Sequence, residues 1–217
     1  MRRDARALLR VIHAMAADGR PLMARVIPPD AVVPWDHFPD DDARDPASGC
    51  RWYYHVHEPG DRPADEHGHF HLFLPRKLFG RLTPLAAPPD DDPERPELVH
   101  VAGLAIDHRG LPVRWFATNR HVTDEWLYPA LSVASRLPRF RVSETGADPL
   151  VDRFLTLMIR LFRADLRAVL MQRDASLLAL GARRGGRLPT EQGHDVLASA
   201  AIDLDAAFDQ WLASSGN

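Results

Sequence analysis

Apolar and polar residues recur along this chain with two periods, and each period predicts its own kind of element. Between 51 and 74 the period is two. Trp52-Tyr-Tyr-His-Val-His-Glu58 and His67-Gly-His-Phe-His-Leu-Phe-Leu74 alternate histidines with aromatic or aliphatic residues, the pattern of β-strands. The stretch between them, Glu58-Pro-Gly-Asp-Arg-Pro-Ala-Asp-Glu66, is turn chemistry throughout and short enough to join antiparallel neighbours. A second hairpin is predicted from Leu98-Val-His-Val-Ala-Gly-Leu-Ala-Ile106 and Leu111-Pro-Val-Arg-Trp-Phe-Ala-Thr118, which flank the tight turn Asp107-His-Arg-Gly110. The continuous apolar runs in these strands require a helix over at least one face.

Elsewhere the period is helical. Leu8, Leu9, Val11, Ile12 and Met15 predict a helix over 4–18, stopped by Asp18-Gly19. Thr123, followed by Asp124 and Glu125, reads as the start of a helix running to about Arg136. The longest stripe opens with Asp148 as cap and Pro149 in the first turn. It continues through Val151, Phe154, Leu155, Met158, Leu161, Phe162, Leu166, Val169 and Leu170, predicting one helix over 148–181 that ends at Gly181 and Arg183-Arg-Gly-Gly-Arg187. Leu204, Phe208 and Leu212 predict a short helix over 204–213 within a helical tail, 184–217. Residues 20–49 and 75–97, rich in proline and aspartate, read as irregular loops, with Pro88-Pro-Asp-Asp-Asp-Pro93 the strongest breaker. The expectation is an α+β fold in a single domain, 1–217. Its four-stranded antiparallel sheet, from hairpins at about 51–74 and 98–118, is packed by the long C-terminal helix.

Composition narrows the function classes. With 217 residues, 45% of them hydrophobic, the chain can bury a full core. A net charge of −3, with no basic stripe interleaved with aromatics, argues against a nucleic-acid partner. No run approaches the roughly 18 apolar residues of a membrane span, and the charged segment Met1–Arg10 lacks the apolar centre of a signal peptide. Cys50 has no second cysteine to pair with, which fits a reducing, cytoplasmic setting. Lys77 is the only lysine, and the bias to Arg, Ala, Pro and Asp suggests a high-GC bacterial genome. Nothing in the pattern specifies an oligomeric state.

The chemistry concentrates in the first hairpin. Five of eleven histidines, His55, His57, His67, His69 and His71, fall within seventeen residues, all at odd positions. Side chains alternate faces along a strand, so each row shares a face, and a closed hairpin brings both rows together. Imidazole is the commonest metal ligand among side chains. Three nitrogens about 2 Å from one ion form the ligand set of catalytic zinc sites, with a further position open to water. The candidate metal ligands are therefore His55, His57, His67, His69 and His71, with His121 just past the fourth strand; His100 is a further strand histidine. In register, His57 is expected opposite His69, with His55 opposite His71 one step deeper. A divalent transition metal is implied, zinc or iron first, with copper or manganese admissible given the flanking carboxylates. Glu66 and Glu125 are the candidate proton carriers. Arg120, at a strand-to-helix junction, is the candidate anion clamp. The expected function is a metal-dependent hydrolase, lyase or oxygenase acting on a small anionic substrate, against a non-enzymatic metal-binding module or a metal-free histidine cluster.

His67-Gly-His-Phe-His-Leu-Phe73 also resembles the histidine-triad motif of three alternating histidines followed by two apolar residues. That resemblance implies a nucleotide hydrolase or transferase in which His69 attacks an α-phosphate. Gly68 departs from the pattern, and no nucleotide-binding segment lies upstream. Across most of its length the chain is similar to an uncharacterised family of bacterial proteins, on Trp52-Tyr-Tyr-His-Val-His57, Glu66-His-Gly-His-Phe-His71 and Thr118-Asn-Arg-His-Val-Thr-Asp-Glu125. This similarity implies no chemistry beyond that of the residues themselves.

Overall fold

The two histidine-bearing segments pair with each other. In a computed structural model, which describes residues 1–28, 33–58, 60–89, 92, 95–183 and 194–213, they are the second and third strands of one antiparallel sheet. The sheet has six strands rather than four: β1 (Phe38–Arg44), β2 (Arg51–His55), β3 (Glu66–Pro75), β4 (Leu98–Asp107), β5 (Pro112–Thr118) and β6 (Val196–Ala201), neighbours in space in that order. Both additions are edge strands whose sequences carry no strand signal. In β1, Phe-Pro-Asp-Asp-Asp-Ala-Arg, only Phe38 and Ala43 are buried, and the pairing to β2 is interrupted between them. Charge and proline are what an edge tolerates. β6, Val-Leu-Ala-Ser-Ala-Ala, is alanine-rich and low in β-propensity, yet it pairs with β5 from Arg114 to Thr118. Within the predicted helical tail the described residues 194–213 form a strand and then a helix, and the predicted loop 20–49 contains a short helix and β1.

The helices differ from expectation in the same way. α1 (Arg2–Ala17) and α2 (Leu22–Val26) precede the sheet. In place of one helix at 123–136, Asn119 caps α3 (Arg120–Thr123), a left-handed Asp124 ends it, and α4 (Ala130–Ala134) follows Pro129. The long helix is two: α5 (Pro149–Leu161), capped by Asp148 on the Leu150 N–H, and α6 (Arg163–Ala182), with the break at Phe162. The apolar stripe passes through the break without a change of phase, so periodicity does not reveal it; Phe162, Leu166, Val169 and Leu170 are all buried. α7 (Leu204–Ala213) ends the described chain. The stop signal at 184–187, and positions 90, 91 and 93 of the proline–aspartate breaker, lie outside the described residues.

The two faces of the sheet have different environments. Trp52, Tyr54, Phe70, Leu72, Leu104, Ile106 and Trp115 point into the main core with the buried faces of α1, α5, α6 and α7. Fully burying each such side chain is worth roughly 1.5–3 kcal/mol. Trp52 also donates its indole N–H to Asp152 of α5 (2.8 Å), tying β2 to that helix. The opposite face bears the histidines, beside a small apolar cluster of Tyr53, Phe73 and Leu98. On this face Phe116 lies across Gly103, where a Cβ would come within 2.1 Å of the ring. The missing side chain on β4 gives Phe116 its place next to His69 and His71.

Candidate metal centre

The strand register decides which histidines meet. His55 stands opposite His69 and Tyr53 opposite His71, a two-residue shift from the expected pairing of His57 with His69. A shift of two preserves the face. His57 lies past the end of β2, its ring 4.7 Å from that of His55 and 5.0 Å from that of His69. His55, His57 and His69 each offer a nitrogen, and these atoms all lie within 4.8 Å of one another. The Nε2 atoms of His55 and His69 are 2.6 Å apart. Such an approach of two ring nitrogens requires a proton or a cation between their lone pairs.

Glu66 sets the chemistry of His69. Its Oε1 accepts from His69 Nδ1 (2.6 Å), which directs the Nε2 lone pair toward His55, and its other oxygen is paired with Arg114. A carboxylate behind a histidine fixes the tautomer and raises ligand basicity, the usual support for a metal-bound imidazole. Burial pushes the Glu66 carboxyl up, with Arg114 opposing. Deeper on the face, His71 Nδ1 is 2.9 Å from His100 Nε2, and His100 Nδ1 is 3.1 Å from Thr118 Oγ1. Burial, reinforced by neighbouring positive groups, lowers His55 to about 3 and His57 to about 4, and holds His69 and His71 well below the ordinary histidine range. Neutral imidazoles are the form that binds metal.

A bulge at the start of β3 divides the histidine rows. The register slips between Glu66 and Gly68, and a Cβ at Gly68 would lie 2.4 Å from the carbonyl oxygen of His55. His67 is thereby turned to the other side of the sheet, where Nδ1 meets the Tyr54 hydroxyl (2.8 Å) and the ring faces His108. The same irregularity brings Glu66 to His69, although residues three apart on a regular strand point to opposite faces.

The remaining sequence candidates lie elsewhere. His121 pairs with Asp195 (2.9 Å) beyond the end of β5. The Arg120 side chain is buried and pairs with Asp124 (3.2 Å), so it does not present an open clamp. Glu125 sits near Arg95, Arg51, Asp42 and Tyr53. Burial raises its carboxyl to about 7 against those arginines, and its Oε2 is buried without a hydrogen-bond partner among the described residues.

Three residues beside the centre carried no sequence signal. Arg62, from the turn between β2 and β3, donates Nε–H to His57 Nε2 (3.3 Å), while His57 Nδ1 is buried and has no hydrogen-bond partner among the described residues. Arg114 reaches Glu66 from β5, and Trp35 sets its ring 4.2 Å from that of His57. Turn arginines and loop tryptophans are ordinary surface residues by pattern, and only the fold brings these to the histidines. A cleft of about 320 Å³ opens beside them, lined by His57, Arg62, Glu66, His67, Gly68 and His108 among others.

Among the described residues, no helix is long and apolar enough to cross a membrane. No curated protein and no solved structure matches the chain. A family model described as a domain of unknown function (DUF6969) matches residues 2–202.

Proposed function

The chain belongs to the DUF6969 family, and we propose that it is a metal-dependent enzyme in which His55, His57 and His69 hold one divalent transition metal beside a cleft for a small anionic substrate. The observation that carries the reading is the convergence of the three nitrogens within 4.8 Å, with Glu66 on the far nitrogen of His69. Three protein ligands leave a coordination position for water or substrate. Bound there, the metal would supply Lewis acidity and a water acidic enough to ionise near neutral pH. Zinc or iron suits an all-imidazole set best. Arg62, on the cleft wall and in contact with His57, takes the anion-clamp role that the sequence suggested for Arg120. Glu66 holds the proton of His69 Nδ1 and is itself held by Arg114, so it orients a ligand and does not carry protons to substrate.

The histidine-triad reading is less well supported. His69 is fully buried, with Nδ1 on Glu66 and Nε2 on His55, and presents neither nitrogen to a phosphate. A non-enzymatic metal-binding module differs in coordination, since His71, whose ring is 4.8 Å from that of His69, would complete a closed four-ligand set. Elemental analysis of untagged protein is the test. We expect about one zinc or iron per chain, lost in His57→Ala and His69→Ala and kept in His13→Ala. Metal well below one ion per chain, with no uptake on titration, removes the proposal. X-ray absorption that finds four protein ligands and no exchangeable water assigns the closed module instead.

A further inference from the structure

On the histidine face, at the opposite end of the β2–β3 pair from the metal centre, lies a second cleft of about 450 Å³. Arg44, Arg51 and Lys77 line it together with Gly49, Glu97 and Leu98. Arg51 is six residues up β2 from His57, about 20 Å away at strand rise, so the two clefts are separate.

The cationic side chains lining this cleft face one another. Arg44 and Arg51 are directly opposite partners in the β1–β2 ladder, and like charges placed this way destabilise a sheet. Arg51 pairs with Asp42 at 3.3 Å and has the buried Glu125 carboxyl nearby, and its own buried Nε has no hydrogen-bond partner among the described residues. Arg44 and Lys77 are exposed and have no hydrogen-bond or ion-pair partner among the described residues. Glu97, the acidic residue of the lining, is engaged by Arg76. Gly49 adopts φ +77°, and a Cβ there would sit 3.6 Å from Lys77 Nζ and 3.3 Å from Pro75, so the glycine keeps that wall open. Lys77 is the only lysine in a chain with 27 cationic side chains.

We propose that this cleft is an anion site for a phosphate group, either free or the terminal phosphate of a small molecule, bound by Arg44, Arg51 and Lys77. The arginines supply planar N–H pairs and the lysine a point charge, a combination suited to the oxygens of a phosphate dianion. Binding offsets the repulsion between Arg44 and Arg51. The inference stands independently of the metal reading.

The test is calorimetric titration of the full chain at low salt with inorganic phosphate, and separately with phenyl phosphate. We expect saturable binding that weakens as salt is raised, and weakens about tenfold in each of Lys77→Ala and Arg44→Ala. Both residues are exposed, so neither truncation endangers the fold, and circular dichroism checks this. Arg153→Ala, on the exposed side of α5 and outside both clefts, should bind phosphate as the wild type does. Tighter binding of phenyl phosphate assigns the group to a larger molecule, and equal or weaker binding assigns free phosphate. No saturable heat with either probe, or affinity unchanged in both cleft variants, overturns the proposal. So does loss of binding in Arg62→Ala, which would place the anion at the histidine centre.

Discussion

Glu66 is the residue on which most of the proposed metal centre's properties converge. It accepts a hydrogen bond from His69 Nδ1, pairs with Arg114, and is almost completely buried. Glu66→Gln keeps an acceptor for His69 and removes the charge. We expect metal affinity, measured by competition with a chromogenic chelator, to fall about 10- to 100-fold, the usual effect of losing such support. An affinity within error of the wild type would mean that Glu66 plays no part in ligation. Asp152 is the comparable residue in the core, where it accepts from Trp52 and Thr145. Asp152→Ala leaves the Trp52 indole N–H buried without a partner, and should cost about 1–3 kcal/mol in chemical denaturation with metal binding unaltered. Gly103→Ala drives a methyl into Phe116. A loss of about 1–3 kcal/mol is expected, and unchanged stability would show that Phe116 has another place to go.

At the scale of elements, the sequence revealed what alternation and capping encode and missed what context decides. Both hairpins, the Asp148 cap and the helical stripe from Val151 to Leu170 are legible because each repeats a period. β1 and β6 are not. An edge strand packs few side chains, so Pro39-Asp-Asp-Asp42 and Ala198-Ser-Ala-Ala201 need no alternation and show none. The histidine trio was legible in part, since strand parity puts His55, His57 and His69 on one face. The bulge was not, because nothing in Glu66-His-Gly68 says that one extra residue is accommodated there, and parity alone assigns His67 to the wrong side. The bulge itself can be tested. Gly68→Val places side-chain atoms against the His55 carbonyl and the Tyr54 ring. It should displace β3 from β2 and abolish tight metal binding, read by calorimetry, while His67→Ala should leave that binding intact.

For the whole molecule, the buried histidines set the acid limit. His55 and His100 are lowered to about 3 and His57 to about 4, chiefly by burial, against an ordinary value of 6.5. Between these values the unfolded chain takes up protons that the folded chain excludes. Their contribution is therefore complete above about pH 6.5 and declines as pH falls toward the folded values. Glu125, raised to about 7 by burial, acts in the opposite sense, as do Glu66 and Asp152, whose carboxyls burial also raises, but the lowered histidines His55, His57, His67, His69, His71 and His100 outnumber them. Denaturant midpoints should fall steadily from pH 6.5 to 4.5, with about two protons taken up on unfolding, and midpoints flat across that window would contradict the burial of these rings. Saturating metal should act the other way. At a free concentration about 1,000 times its dissociation constant it adds about 4 kcal/mol, a rise in melting temperature of roughly 8–16 °C for a chain of this size.

Trp35 gives the molecule an optical consequence. Its indole is 54% exposed and packs edge-on at 4.2 Å from the ring of His57, whereas Trp52 and Trp115 are sealed in the core on the other side of the sheet. A paramagnetic ion such as cobalt or copper held by His57 would lie within the range at which an excited indole transfers its energy. The red-shifted, water-exposed part of the emission should dim as the ion arrives, and by more than the blue part from the core. On the proposed ligation, Trp35 would serve as a built-in fluorescent indicator for the occupancy of the histidine centre, with no label to attach.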